Sequence, residues 1–402
     1  MSGGPVLRFP GFEGEWEEVQ IQDILRGARL GGNYANSGTP TEAPLMKMGN
    51  LSRGEFDVTG FDYVSDPEVA EDVHRLQVGD LLLNTRNTPS LVGKVALWRG
   101  ELPTAYFNSN LLRLDFDCNE FMNLTFNSTD GVKKIKGIAA GTTSVAAIYT
   151  KDLTKVRFAV PTLDEQRKIA AFLSAVDARI AAAERERAGL GRFKAGLLQA
   201  LFSRALRFAR DDGGAFSEWD ETTLSEVAEI IGGGTPDTTV PAYWNGTVPW
   251  FSPSEIGARF VSKSARQITE AGVRASAARM LPPGALLLTT RATIGAVSIA
   301  TEPCCTNQGF QSLVVRAPHV GSFWFYWLQA NKQALERNAG GSTFPEISRT
   351  EVAKLPARSP HPDEQAKIAA ALSALDTRLD LAAREEAALR RFKAGLLQAM
   401  FV

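Results

Sequence analysis

Cysteine is nearly missing from this chain of 402 residues: there are three, Cys118 by itself and Cys304 beside Cys305. A disulfide framework and a C-x-x-C metal spacing are both excluded, and the compartment reads as reducing. Histidine is equally scarce, and His74, His319 and His361 stand apart with no partner at a ligand or base spacing. No metal site is expected. No apolar run approaches the roughly 18 residues that span a membrane, and the opening MSGGPVLRFPGFEGEW has neither the basic start nor the apolar core of a signal peptide. The expectation is a soluble, cytoplasmic protein with no membrane partner. An excess of positive charge is absent too, since 44 Lys plus Arg face 45 Asp plus Glu. Binding to an acidic polymer must therefore rest on local patches or on a partner, not on bulk charge.

What the chain does have is one passage written twice. DEQRKIAAFLSAVDARI at Asp164 returns, 199 residues later, as DEQAKIAAALSALDTRL at Asp363. Over Glu165–Phe202 and Glu364–Phe401, 26 of 38 positions agree, including the unbroken run RFKAGLLQA at Arg192 and Arg391. Upstream the match is weaker. Trp16 and Trp219 each open a W-[ED]-E step, and VGDLLLNTR and PGALLLTTR align at an offset of 205, which places Gly79 on Gly284 and Arg86 on Arg291. A repeat on this scale sets the architecture: two half-chains, each a variable globular domain followed by a long helix. In the globular parts, DLLLNT, KVALW, ALLLTT and AVSIA read as short strands between Gly, Pro and Asn clusters, and SFWFYWLQANKQALERN from Ser322 reads as a helix. The fold class is α+β.

The repeated passage itself is helical. Ile169, Leu173, Val176, Ile180, Ala183, Leu190, Leu197 and Leu201 keep a four-three spacing, which Ile368, Leu372, Leu375, Leu379, Ala382, Leu389, Leu396 and Met400 reproduce, with Arg187, Lys194, Glu386 and Lys393 as polar breaks. That is a coiled-coil pattern. About 38 residues at 1.5 Å each make a rod on the order of 57 Å, longer than one domain needs for itself. Antiparallel pairing of the two rods would bury both seams and place one globular domain at each end, about an approximate two-fold axis. Glycine inside a helix costs about 1 kcal/mol relative to alanine, so Gly196 and Gly395 in the identical run point to close approach of another backbone. The globular halves have diverged while the helices have not. Two copies of one partner, each meeting one end of the helix pair, would account for that.

The motif P-x-x-[DE]-E-Q-x-K-I-A-x-x-L, followed by a long helix and FKxGLLQ, written twice in about 400 residues, resembles the specificity subunit of type I restriction-modification systems. The resemblance covers essentially the whole chain. LSEVAEIIGGGTP with YWNGTVPWFSPSEI in the second half is similar to a target recognition domain of that family, whereas ILRGARLGGNYANSGTPTEAPLMKMGNL in the first half departs from its text and is assigned by position and by the weak internal match. The resemblance implies two α/β target recognition domains in a pseudo-two-fold arrangement, residues 1–160 and 206–359, joined by two antiparallel coiled-coil spacer helices, residues 161–205 and 360–402. It implies that each domain reads one half of a bipartite, asymmetric sequence in double-stranded DNA. The helices would set the spacing and dock two copies of the modification subunit, an N6-adenine methyltransferase that carries S-adenosylmethionine, and a restriction or motor subunit would complete the complex. The chain itself is expected to be non-catalytic and to hold no cofactor. It has no N-P-P or D-P-P aromatic motif and no Gly-rich cofactor loop; GIAAGTTS from Gly137 lacks the P-loop lysine, and PDEQAK at Pro362 opens a helix without nuclease spacing. The alternative is a structural adaptor that spaces two protein-binding domains.

Residues 1–160 hold 16 basic and 20 acidic residues, residues 211–359 hold 12 and 14, and residues 161–210 hold 10 and 5. DNA affinity is therefore expected to be shared with the modification subunits. Arg86 and Arg291 end a strand in matching places, and arginine grips a phosphate or the guanine edge with two hydrogen bonds. The offset of 205 sets Lys47 against Ser252 and Asn50 against Glu255, so shared residues would frame the fold while differing ones, Lys47, Asn50 and Ser252, read different bases. The turns Gly141 to Ser144 and Gly340 to Thr343, with Thr143 and Ser342, would offer backbone N–H groups to phosphates. Partner docking is assigned to the duplicated Arg192, Lys194 and Gln199 and to Arg391, Lys393 and Gln398.

Overall fold

The computed structural model describes residues 5–142, 144–291, 293–340 and 345–401. The chain divides into two compact units, Met1–Glu184 with Arg384–Val402, and Arg185–Ala383. The division cuts both long helices. Each unit therefore owns one globular domain, the first part of the helix that follows it and the last part of the other helix.

The duplicated passage forms helices Leu163–Phe202 and Pro362–Met400, and both start alike. The Gln166 side-chain amide donates to the Pro161 carbonyl at 2.9 Å, and that of Gln365 to the Pro360 carbonyl at 2.9 Å. Glu165 and Glu364 in the first turns are fully buried. A carboxylate is tolerated there only when paired. Arg8 grips Glu165 through Nε and Nη2, both at 2.7 Å, and Arg207 grips Glu364 at 3.1 and 2.9 Å. The identity of the Glu-Gln step at both helix starts is thus a folding requirement. Its partners repeat as well: Leu-Arg-Phe occurs at Leu7 and Leu206, where the Leu7 N–H donates to Ala399 at 3.0 Å and the Leu206 N–H to Ala200 at 3.1 Å.

Within the first unit the two helix segments run antiparallel, since Asp177 meets Lys393 at 2.5 Å while Glu184, further along, meets Arg390. In the second unit Lys194 meets Asp376 at 2.5 Å, and Leu201 shares a core with Ile368 and Leu372. Of the apolar seam, Ile169, Leu173, Val176, Ile180, Ala183 and Leu201 are buried, as are Ile368, Leu372, Leu375, Ala382, Leu396 and Met400.

The first domain is built on an antiparallel sheet of Gly27–Leu30, Leu111–Asp115, Leu81–Asn84 and Val95–Leu97, in that order. Three leucines in a row, Leu81 to Leu83, fill its central strand because side chains alternate between two cores. Leu81 and Leu83 join Phe121, Phe126, Ile169, Leu173, Leu396 and Met400, while Leu82 faces Trp98 and Phe107. Leu286–Leu288 does the same in the second domain: Leu286 and Leu288 pack with Phe323, Trp324 and Ile368, and Leu287 with Phe251 and Phe310. Each domain adds a smaller sheet. In the first, Asn36–Ser37, Asp62–Val64, Pro44–Met46 and Tyr106–Phe107 follow one another; in the second, Arg266–Ile268, Trp244–Phe251 and Cys305–Thr306. Leu45 pairs with Asp62 on one side and Tyr106 on the other, as Trp250 pairs with Arg266 and Cys305. The central strands correspond even where the residues do not, while the edges differ: the larger sheet has four strands in the first domain and five in the second, and the smaller has four and three.

The helix expected from Ser322 is two helices, Gly321–Ala330 and Lys332–Arg337. At the junction the Asn331 backbone N–H and side-chain amide both donate to the Trp327 carbonyl, at 3.0 and 2.8 Å. Phe323 to Leu328 are all buried, so the first of the pair is a core helix rather than a surface one.

Candidate functional site

Positions 47, 50 and 252, expected to read bases, lie in two matching short turns that the side chains of Asn50 and Glu255 cap. The Asn50 carbonyl oxygen accepts the Lys47 backbone N–H at 2.9 Å, and its amide donates to the carbonyls of Asp57 and Gly60 at 3.0 and 2.7 Å. Asn50 is buried. Every polar atom of its side chain is engaged, so no face is left for a base. At the matching turn Glu255 accepts the backbone N–H of Ser252 at 2.8 Å and its hydroxyl at 2.7 Å. Asn and Glu do one job here: each side chain caps a short turn. The Lys47 ammonium is held by Asp62 at 2.6 Å and by Asn36 at 3.0 Å.

Arg86 and Arg291 are where the alignment put them, on matching bridges, but with different neighbours. Arg86 pairs across the strand with Ala147, and Arg291 with Glu346. The Arg291 guanidinium is bonded to the Glu346 carboxylate through Nε at 3.0 Å and through Nη2. The Arg86 side chain is exposed and has no hydrogen bond or ion pair among the described residues. The first domain therefore presents a free guanidinium where the second presents a neutralised one. Thr143 and Ser342 lie outside the described residues.

On the helices, the duplicated run splits into two faces. Lys194 and Lys393 turn inward to Asp376 and Asp177, positions that are also identical in the repeat. Their ammonium groups serve the helix pairs, and the duplicated aspartates were the sequence signal for it. Arg192, Gln199, Arg391 and Gln398 are exposed. So are Phe193 at 61% and Phe392 at 52%. A Cβ added at Gly196 or Gly395 would meet nothing within 4 Å, so the space these glycines leave is not filled by this chain. In the second unit the exposed face borders a groove of about 970 Å³ lined by Gln199, Phe202, Arg204, Trp327, Asn331 and Arg358.

The reactive side chains elsewhere are ordinary. Burial pushes the Cys304 thiol up to about 12 and the Cys305 thiol up to about 11, which leaves neither as a thiolate nucleophile. Burial lowers the pKa of His74, whose Nδ1 lies 2.7 Å from the Tyr34 hydroxyl, and that of His319. No group of three or more metal-ligating side chains occurs among the described residues. No helix among them is long and apolar enough to cross a membrane.

Residues 13–190 and 216–391 match the type I restriction modification DNA specificity domain. Among relatives from Methanocaldococcus jannaschii, the MjaX specificity subunit is 24% identical over 404 residues, covering 95% of this chain and 92% of that one. The type I restriction enzyme MjaIX specificity subunit is 32% identical over 197 residues, but that match spans only 48% of this chain and 46% of the relative. The S subunit of a type I restriction-modification system from M. genitalium has a similar fold, with a TM-score of 0.64 at 16% identity over 100% of this chain and 99% of that one.

Proposed function

Because the chain belongs to the type I restriction-modification specificity family, we propose that its two globular domains read the two halves of a split DNA sequence while its paired helices set the distance between them. The chain supplies recognition and assembly and carries out no bond chemistry of its own. A modification subunit holding S-adenosylmethionine transfers the methyl group to adenine, and a restriction subunit completes the complex in the cytoplasm.

The observation that carries this reading is the contrast inside one repeat. The two recognition frames share their central strands yet differ in where they expose positive charge. The two helices keep one outward face, with Arg192, Phe193, Gly196 and Gln199 recurring as Arg391, Phe392, Gly395 and Gln398. Identical faces suit two copies of one protein, and exposed aromatic rings beside a bare glycine suit a helix of that protein at close range. Unlike charge on like frames suits unlike half-sites. Phosphate contacts would fix each domain on the duplex, and a few side chains would specify bases.

The test is an exchange of residues 211–359 for the same domain of a related subunit, followed by mapping of methylated adenines with the assembled modification complex. One half of the methylated sequence should change and the other half and the spacer should remain. A continuous target, or a change in both halves at once, overturns the reading.

A further inference from the structure

The position that answers Asp62 of the first frame is Arg266 in the second. Both residues lie opposite the central strand of the small sheet, Asp62 across from Leu45 and Arg266 across from Trp250. The charge at this place is thus reversed between the two domains. Asp62 is spent on Lys47. Arg266 lies over the Trp244 ring, with its guanidinium carbon 3.6 Å from the ring centroid and 5.4 Å from that of Trp250. The two indoles are themselves edge to face at 5.2 Å and 90°. Their own N–H groups are tied down, Trp244 to the Asp237 carbonyl at 3.0 Å and Trp250 to the Gly234 carbonyl at 2.9 Å.

Stacked arginines are common, and two others occur here. Arg113 lies over Phe107 and also bonds Asp80 and the carbonyls of Val73 and Arg75; Arg259 lies near Phe260 and Tyr326 and bonds Ser373 at 2.5 Å. Arg266 differs. It is exposed, and its guanidinium has no hydrogen bond or ion pair among the described residues. Glu255, which bonds the adjacent Ala265, is occupied by the N–H groups of Ser252 and Ala265 at 2.8 and 2.6 Å. A flat fork is thus held by its face on buried tryptophan while its N–H edge stays free. Holding the plane in advance reduces the ordering cost of a two-pronged hydrogen bond. Exposed Lys263, also without a partner among the described residues, lies three residues before it in the same segment.

We propose that Arg266, held flat on Trp244, is the residue through which the second domain recognises a guanine by its O6 and N7 edge, with Lys263 on an adjacent phosphate. The inference rests on the reading of this domain as a DNA reader. It commits to a base contact, because a planar fork matches guanine and cytosine-side acceptors are lacking. The first domain carries no arginine at this position and would use other residues for its own half-site.

The complex of this chain with its modification subunit would be assayed for adenine methylation on a duplex library randomised through both halves and the spacer. The unsubstituted complex tests the split-target reading by itself: two separated half-sites must appear. Arg266→Lys keeps the charge and a stem over Trp244 but removes the fork, so it is the deciding variant; Arg266→Ala is compared with it after thermal unfolding has shown both to be folded. Both should lose discrimination at one G·C pair of one half-site by roughly 5- to 150-fold, with every other position unchanged. Lys263→Ala should weaken binding evenly across sequences and lower the salt slope by about one. Discrimination retained at every position by Arg266→Lys, or a loss spread evenly over all sequences, overturns the assignment even if the split target is found.

Discussion

At the helix ends the same ion pair occurs twice, Lys194 with Asp376 and Lys393 with Asp177; at the strand ends the same arginine occurs twice with opposite neighbours, Ala147 facing Arg86 and Glu346 facing Arg291. The difference separates two kinds of constraint. Where the chain must fit itself, residue types persist, as they would on a face that met two copies of one partner. Where, on the proposed reading, each domain meets its own half-site, the central strands persist and an unpaired guanidinium stands at different places, Arg86 in the first domain and Arg266 in the second.

The largest effect should come from breaking the shared face. Phe193→Asp with Phe392→Asp should abolish assembly with the modification subunit in size-exclusion chromatography, while each single variant retains one bound copy. Stability should change by no more than about 0.5 kcal/mol, as for exposed positions in general. Full assembly of the double variant would assign the duplicated phenylalanines to something other than docking.

The inward face offers a sharper comparison. Lys194 and Asp376 are 18% and 14% exposed, against 27% and 31% for Lys393 and Asp177, and Asp376 also accepts the Tyr326 hydroxyl at 2.6 Å. Lys194→Met should therefore cost on the order of 3 kcal/mol, and Lys393→Met nearer about 1 kcal/mol, in chemical unfolding followed by fluorescence. Trp219, Trp244, Trp250, Trp324 and Trp327 belong to the second unit and Trp16 and Trp98 to the first, so emission weights the unit in which the larger loss is expected. Equal costs would remove the asymmetry.

Asn50→Ala should cost about 1–3 kcal/mol, because buried carbonyl and N–H groups lose their partner, and it should leave base preference untouched. Altered preference would return position 50 to the reading surface. The smallest effect belongs to the strand-end pair. Arg86→Ala should lower duplex affinity several-fold and the salt slope by about one, whereas Arg291→Ala should change affinity less than about twofold, since Glu346 already neutralises it. Equal losses would mean that DNA displaces Glu346.

The helices were legible in the sequence because identity and four-three spacing survive wherever side chains meet a fixed surface. The strands were legible as leucine runs, since Leu81–Leu83 and Leu286–Leu288 lie between two cores. The break at Asn331 was not, because one asparagine in an otherwise helical run is all that marks it. Of the expected readers, Asn50 is spent inside a turn, and half-buried Lys47 and Ser252 are bonded to Asp62 and Glu255; the sequence does not show this because the residues that cap turns are the same polar types that read bases. Arg266 escaped notice because the offset of 205 sets it against Phe61, one residue from the Asp62 that strand pairing makes its counterpart, and because its partner Trp244 is brought to it by strand pairing. Asp177 and Asp376 were in plain view as identical positions, but the pairing that uses them crosses the whole repeat.

The way the units divide the sequence bears on the order in which they can form. Residues 185–383 are one continuous stretch, so the second unit has all its parts as soon as Ala383 has been synthesised. The first unit waits for residues 384–401. Leu396 and Met400 fill its core, and the Phe401 ring lies 6.1 Å from Trp16. Contacts that join distant parts of a chain are slow to close, and until they do Leu173 and Phe121 lack their cover. The domain translated first is therefore the one completed last, and during synthesis it is the one open to protease and to chaperone.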